Sequence, residues 1–366
     1  MIARRREAGQ PGNLWRNQVR PLEHYPIRPS NMPKDKTVLV TGGAGYIGGH
    51  VLLALIEAGM DAVVIDDLST GRREAVPEGV RMIEGNCGDP ALLDDVLGGD
   101  RIGTVIHLAA SAIVPESVEK PLAYYRNNTL NSITLIDACI RLGVRHFVFS
   151  SSAAVYGAPE TMPIDEDVPQ RPINPYGASK LMTEWMLSDV AQAHDFRYAA
   201  LRYFNVAGAD PKGRAGESTP TATHLIKVAC QAALGLRSEM PIYGDDYPTP
   251  DGTCIRDYIH VTDLADAHVK ALHYLAKGGG NLVANCGYGH GYSVREVLRC
   301  MEAIIGRQLP VRIMDRRPGD PPNLTAAADL IRKHLDWTPQ YDDLRAIIET
   351  ALAWERRIAA TAAGGA

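Results

Sequence analysis

No stretch of this sequence approaches the run of roughly 20 apolar residues that a membrane-spanning helix needs. Its six cysteines, at 87, 139, 230, 254, 286 and 300, include no CxxC pair. That spacing removes the usual zinc and dithiol signatures, and in a chain of this size it reads as reduced, mostly buried thiols of a cytoplasmic protein. A basic surplus is missing too. The formal net charge is −5 with both signs interspersed, so no broad basic face is offered to nucleic acid, and a small molecule or another protein is the expected partner. Residues 1–33, "MIARRREAGQPGNLWRNQVRPLEHYPIRPSNMP", are rich in Arg and Pro but lack the apolar core of a signal peptide; they read as a disordered tail.

What is present is an alternation. "TVLV" is a short apolar strand, followed by a glycine turn and by "HVLLALIEAG", whose apolar positions keep a helical period up to Gly59. "DAVVID", "RMIEG", "TVIHLAA", "HFVFSSS" and "YAALRYFN" continue as strands; "PALLDDVLGG", "LNSITLIDACIRLG" and "PYGASKLMTEWMLSDVAQAH" read as the helices between them. Unbroken apolar strands alternating with helices predict a parallel sheet covered on both faces. The fold class expected is therefore α/β, a doubly wound, Rossmann-like sheet over residues 34–205 with a smaller C-terminal α/β cap over 206–366. Within the cap, about 257–290 is expected to return a strand to the main sheet. The loops "VAGADPKGRAGESTPTATHLI" and "GDDYPTPDGTCIRDY" are long and polar, the kind that carries function, which places the site in the cleft between sheet and cap.

"TGGAGYIGGH" (41–50) sets Gly42, Gly45 and Gly48 at GxxGxxG spacing between a strand and a helix. Glycines there let the backbone turn tightly and approach a pyrophosphate seated on the helix N-terminus. Alone the triplet is a weak signal, because a loop needing positive φ also selects glycine. The context strengthens it: Asp66 ends the next strand, 18 residues beyond Gly48. A carboxylate there can bind both ribose hydroxyls and would repel a 2′-phosphate, which predicts NAD rather than NADP.

"PYGASK" (175–180) places Tyr176 and Lys180 four apart at the start of a helix, on one face. An ammonium beside a phenol, together with the positive charge of an oxidised nicotinamide, favours the phenolate and lowers its pKa toward neutrality. Tyr176 is then a general base, with Ser152 as a hydroxyl able to relay the proton. A Tyr-x-x-x-Lys spacing arises often by chance in helices; the glycine turn and the strand ending in "SSS" make the catalytic reading the stronger one.

"TGGAGYIGGH", "SSSAAVYG", "NPYGASK", "LRYFN", "DGTCIRDYIHVTDLADAHVKAL" and "RRPGD" together resemble the extended short-chain dehydrogenase/reductases, and within them the UDP-glucose 4-epimerases and their sugar-nucleotide relatives. The likeness runs from about residue 36 to 357. It implies bound NAD, a UDP-sugar substrate, a homodimer built through the long helices, and no metal. The activity implied is oxidation at carbon 4 of the sugar, rotation of the 4-keto sugar and re-reduction, interconverting UDP-glucose and UDP-galactose. By the same resemblance the cofactor contacts are Tyr46, Ile47, Asp67, Asn86, Cys87, Leu108, Ala109, Ala110, Asn127 and Phe204, besides the three glycines, Asp66 and the trio Ser152, Tyr176 and Lys180. The matching substrate positions are Asn205, His224, Leu225, Tyr243, Arg256, Tyr258, Arg317, Asp320 and Leu324. Two arginines suit a diphosphate through their forked donors, aromatic rings suit a flat uracil, and Asp320 can accept from a ribose hydroxyl. Arg256 or Arg317 taken singly would equally suit a surface ion pair.

Three positions depart from the family. Asn86 stands where relatives have an acidic residue, Ala112 where some have a cofactor-contacting lysine, and Ala327 where relatives have an aspartate. Ala153 and Ala154 carry a different message. Dehydrating relatives keep an Asp-Glu pair next to the catalytic hydroxyl and decarboxylating relatives a Glu, whereas a methyl group transfers no proton. The rim suits a site that oxidises and re-reduces one carbon. Leu324 falls where relatives vary from tyrosine to cysteine against the sugar's 2-position, and its intermediate size predicts a plain hexose over its N-acetylated analogue. Two alternatives stay open at this point: an epimerase of another UDP-sugar, an N-acetylhexosamine or a pentose, and a non-catalytic dinucleotide-sensing module, against which the Tyr/Lys pair argues.

Overall fold

The structure, a computed structural model, describes residues 37–99, 102–219, 223–317 and 319–364; the tail read over 1–33 lies outside the described residues. The chain opens with β1 (Thr37–Thr41), α1 (Tyr46–Glu57), β2 (Asp61–Asp66), β3 (Arg81–Glu84), α2 (Pro90–Gly99) and β4 (Ile102–His107). A nearly continuous helical run follows: α3 (Val114–Glu119), α4 (Pro121–Tyr124), a π-helical turn (Tyr125–Leu130) and α5 (Asn131–Leu142). β5 (His146–Ser152), α6 (Pro175–Ala193) and β6 (Arg197–Tyr203) complete the alternation. Beyond it lie β7 (Asn205–Ala207), α7 (Leu225–Ala233), β8 (Met240–Tyr243), β9 (Ile255–Arg256), β10 (Tyr258–His260) and α8 (Val261–Ala276). The chain continues through β11 (Leu282–Cys286), β12 (Tyr292–Ser293), α9 (Val294–Ile305), β13 (Val311–Met314), β14 (Asn323–Leu324), α10 (Asp329–Leu335) and α11 (Leu344–Gly364).

Seven strands form one sheet in the order β3-β2-β1-β4-β5-β6-β11, every pair parallel. Apolar side chains alternate between its faces. Val38, Val40, Val64, Ile106, Val148 and Leu201 enter the core shared with α1 and α8, while Leu39, Ile65, Val105, Phe147 and Phe149 enter the one shared with α2, α5 and α6. Both faces are therefore dry, which is why these strands read as continuous apolar runs. The strand order reverses between β1 and β4, and in such sheets a ligand crevice opens at the carboxyl ends of the strands at that switch point. Three smaller sheets, β7 with β10, β12-β9-β14, and β8 with β13, lie beyond the alternation.

Two local features position the site. The helix after the glycine turn starts at Tyr46, four residues earlier than the apolar period suggests, because Gly48 and Gly49 are helical. Asn174 caps α6: its side-chain oxygen accepts from the Gly177 N–H at 2.8 Å, and Pro175 follows as the first helical residue. That cap fixes the first turn of α6, and with it Tyr176.

Candidate active site

The turn after β1 is shaped by contacts that exclude side chains. Gly42 has φ +75°, and a Cβ there would lie 2.6 Å from the Ala109 nitrogen; a Cβ on Gly48 would lie 2.2 Å from the Gly42 carbonyl oxygen. Gly45 caps α1 with no side chain over the helix end and no acidic residue in the first turn. The N–H groups of Tyr46 and Ile47 are thus first-turn donors without helical acceptors, the arrangement that takes up an anion.

Asp66, 8% exposed at the end of β2, is oriented by two backbone donors: Ala44 N–H to Oδ2 and Leu68 N–H to Oδ1, both at 2.9 Å. Burial raises its pKa and those two hydrogen bonds oppose the rise. Asp67 beside it accepts from Ser69 N–H and Oγ–H at 3.0 and 2.6 Å. After β3, Asn86 accepts from Gly88 N–H at 2.7 Å, and burial pushes the Cys87 thiol up to about 12, so it stays neutral. Past β4, the N–H groups of Leu108 and Ala109 both donate to the Thr41 carbonyl, at 3.0 and 3.1 Å, which draws the Leu108–Ala110 segment against the glycine turn. Asn127 donates from Nδ2 to Ser111 Oγ at 3.0 Å. Phe204 packs against the cluster of Ala153, Val155, Tyr156, Ile164 and Leu181, as does Leu324. Gly42, Asp66, Asn86, Leu108, Ser152 and Phe204 each stand at, or one to two residues beyond, the carboxyl end of a strand of the main sheet. A dinucleotide fits that row: an anion-accepting helix end, a crevice at the switch point and a carboxylate one strand away for a ribose.

Tyr176 and Lys180 are 9% and 3% exposed on one face of α6. Lys180 Nζ donates to the Ser150 carbonyl at 2.7 Å and lies 5.0 Å from the centre of the Phe149 ring. Burial pulls the Lys180 pKa down to about 7, against the nearby Glu184 carboxylate, which raises it. Burial raises the Tyr176 pKa, and the neighbouring Ser152 hydroxyl works the other way. Lys180 Nζ also lies 5.9 Å from the centre of the Tyr176 ring. His107, buried between Thr41 Oγ1 (2.7 Å) and Ser132 Oγ (2.9 Å), is pulled down to about 3 by burial and the Lys180 charge, and is neutral.

A second cluster gathers around β9. Arg256, 8% exposed, donates from Nη2 to Asp320 Oδ1 at 2.6 Å; Arg317 donates from Nε and Nη2 to Asp320 Oδ2 at 3.0 and 2.7 Å. Both Asp320 oxygens, expected to face a ribose hydroxyl, thus already accept from the two arginines. The Arg317 guanidinium lies 4.9 Å from the Tyr243 ring centre, and β14 sets Leu324 opposite Arg256. Tyr258 is 4% exposed, its pKa pushed up by burial, and pairs across β10 and β7 with Asn205. His224 precedes Leu225 at the start of α7, and its Nδ1 lies 2.6 Å from Glu217 Oε1. The Glu217 carboxylate beside this exposed imidazole raises its pKa.

The motifs did not single out Glu184, on the same face of α6 as Tyr176 and Lys180, or its partner Arg202 on β6. Ser151, Glu184 and Arg202 are all buried behind the Tyr/Lys pair. A carboxylate four residues beyond Lys180 was the available signal. Ala327, one of the departures, donates its N–H to the Ile164 carbonyl at 2.7 Å, so backbone pairing holds that stretch.

The geometry agrees with known relatives. The model of the NAD dependent epimerase/dehydratase family matches residues 38–287. The chain belongs to that family. It is 64% identical to the UDP-glucose 4-epimerase of Azospirillum brasilense over 321 residues, covering 88% of this chain and 92% of that one. Among solved structures, the UDP-glucose 4-epimerase of Brucella ovis in complex with NAD is 48% identical with a TM-score of 0.85, over 87% of this chain and 98% of that one. That of Bifidobacterium longum, in complex with NAD+ and UDP, is 38% identical with a TM-score of 0.84, over 88% of this chain and 98% of that one. Family membership fits the switch-point crevice and the buried Tyr/Lys pair. Among the described residues of this family member, no helix is long and apolar enough to cross a membrane.

Proposed function

We propose that the protein is an NAD-dependent UDP-glucose 4-epimerase that interconverts UDP-glucose and UDP-galactose. The observation carrying this reading is the buried Tyr176/Lys180 pair, set on α6 against a strand end that offers Ser152 and then only the methyl groups of Ala153 and Ala154. Tyr176 takes the proton of the 4-hydroxyl and later returns one, with Ser152 sharing the hydrogen bond. NAD, when bound, supplies a reversible hydride acceptor for carbon 4. The first-turn N–H groups of α1 would hold its pyrophosphate and Asp66 its adenosine ribose. Arg256 and Arg317 grip the substrate's diphosphate, with Tyr243 and Tyr258 toward the uracil. Firm hold on the nucleotide and small residues at 153 and 154 leave the flat 4-keto sugar free to turn over.

Incubation with UDP-galactose, UDP-glucuronate and dTDP-glucose, followed by product mass and by chromatographic separation of the epimers, tests this reading. Elimination or decarboxylation needs an additional acid or base, and Ser152 and Tyr176 are both engaged at carbon 4. Only isomers of unchanged mass are expected, UDP-glucose from UDP-galactose among them. A product lighter by one water or one carbon dioxide contradicts the assignment, as does no conversion of UDP-galactose. Leu324 favours the plain hexose over its N-acetylated analogue.

The cofactor assignment has its own check. A 2′-phosphate would meet the Asp66 carboxylate at close range, so NAD is expected to bind more tightly than NADP by ~2 kcal/mol or more. Nucleotide released by acid from the purified protein and identified by mass should be NAD; recovery of mainly NADP would refute the role of Asp66.

We also infer a cytoplasmic homodimer serving galactose metabolism. All six cysteines are free thiols. Large apolar side chains stand in solvent along the α3–α6 run, Val118 at 62%, Leu122 at 64% and Trp185 at 57% exposure, a surface that suits a second copy.

A further inference from the structure

Three consecutive serines end β5, and each faces a different rung of α6. Ser152 lies beside Tyr176. The Ser150 carbonyl accepts from Lys180 Nζ. The Ser151 hydroxyl donates to Glu184 Oε1. Residues 176, 180 and 184 are four apart, so their side chains follow one another along one helix face at about 6 Å per rung.

The third rung is built with care. Glu184 and Arg202 have side chains 5% exposed, and the guanidinium grips the carboxylate with two bonds, Nε to Oε1 at 2.9 Å and Nη2 to Oε2 at 2.5 Å. Arg202 stands directly opposite Ser151 across β5 and β6. Its remaining Nη1 donates to the Tyr156 hydroxyl at 2.8 Å, which donates to Asn285 Oδ1 on β11 at 2.7 Å. A carboxylate so fully engaged cannot rotate away from the lysine in front of it.

We propose that Glu184, fixed by Arg202 and Ser151, is a positioning residue that holds Lys180 in its ammonium form and so holds Tyr176 ready as the base. This rests on the epimerase reading above. Among the described residues, the groups facing Lys180 leave no other candidate for that task. Tyr176 shares its helix face, Phe149 and the Ser150 carbonyl come from β5, and His107 on β4 is neutral. From β6 come Tyr203, whose hydroxyl is tied to Ser150 Oγ, and Arg202, whose charge is matched by Glu184. Tyr124 on α4 lies nearer Tyr176; its hydroxyl donates to the Ile113 carbonyl at 2.6 Å, with Glu116 Oε2 3.1 Å away. Burial works against the ammonium, and among the described residues Glu184 is the carboxylate opposing it. Its loss makes the ammonium easier to deprotonate, so the alkaline limb of the pH–rate profile moves to lower pH. Tyr176 must then ionise without its cationic neighbour, at higher pH.

The test is Glu184→Gln, with wild type measured in parallel; a wild type without turnover would count against the epimerase reading itself. For the variant, kcat should fall about tenfold or more at alkaline pH with KM within about twofold of wild type, and its alkaline limb should lie at lower pH. Glu184→Asp should restore part of both. A readout independent of turnover is the ultraviolet absorbance of the Tyr176 phenolate, taken as a difference against Tyr176→Phe in each background; its midpoint should rise. Glu184→Gln leaves Arg202 buried without a counter-charge. The pair Glu184→Gln/Arg202→Gln removes both charges and carries the same test if the single variant does not fold. A limb and a phenolate midpoint unchanged from wild type in a folded variant would overturn the proposal, leaving Glu184 a purely structural residue. Failure of both variants to fold would overturn it as well, by showing that the pair serves the fold itself.

Discussion

Tyr176→Phe is expected to keep the fold and the bound nucleotide and to reduce turnover by about 10²–10⁴, the range for a lost general base. The substitution removes one oxygen and fills the same space. Burial raises the Tyr176 pKa and the Ser152 hydroxyl is the group opposing it. The Lys180 ammonium on the same helix face favours the phenolate, and the positive ring of NAD, when bound, would add to that. Steady-state turnover of UDP-galactose, with the nucleotide content of the same preparation, checks this. Near-wild-type activity with nucleotide bound would remove Tyr176 from the reaction.

Gly48→Ala is the second large effect. The added methyl would lie 2.2 Å from the Gly42 carbonyl oxygen and 2.7 Å from the Gly43 Cα, both backbone atoms unable to swing aside. Opening the turn displaces the first-turn N–H groups of α1, so the variant should purify nearly free of nucleotide and nearly inactive. Overpacking should also destabilise it by about 1–3 kcal/mol. Gly98→Ala is the internal control: that glycine lies in α2 with nothing within 4 Å of the added methyl, and the exchange should be neutral or slightly stabilising. Full nucleotide content in Gly48→Ala would mean that the turn is not where the pyrophosphate sits.

The α/β alternation was legible because both faces of the main sheet are dry, so strands such as Thr37–Thr41 and His146–Ser152 carry uninterrupted apolar runs. The helical run from Val114 to Leu130 was not. It has Pro115 in its first turn, is interrupted by Lys120 and Pro121, and passes through a π turn, so no single helical period extends along it. Its exposed Val118, Leu122 and Leu130 further blur the amphipathic signal. Among the candidate site residues, Gly42, Gly48 and the Tyr176/Lys180 pair were readable because their spacing is itself the signal. The Arg256–Asp320–Arg317 knot was not, since it joins residues 64 apart through the β9–β14 pairing. Glu184 escaped for another reason: a Glu on a helix is ordinarily a solvated residue, and only Arg202, brought alongside by the sheet, makes this one buried.

The central claim is that one carbon of the sugar is oxidised and re-reduced in place. UDP-galactose carrying deuterium at carbon 4, converted in ordinary water, tests it most directly. The hydrogen removed from carbon 4 should return to carbon 4 inside a site that excludes solvent, so the UDP-glucose formed should retain the label there at unchanged mass. Loss of the label to water, or its appearance at another carbon, would contradict the account.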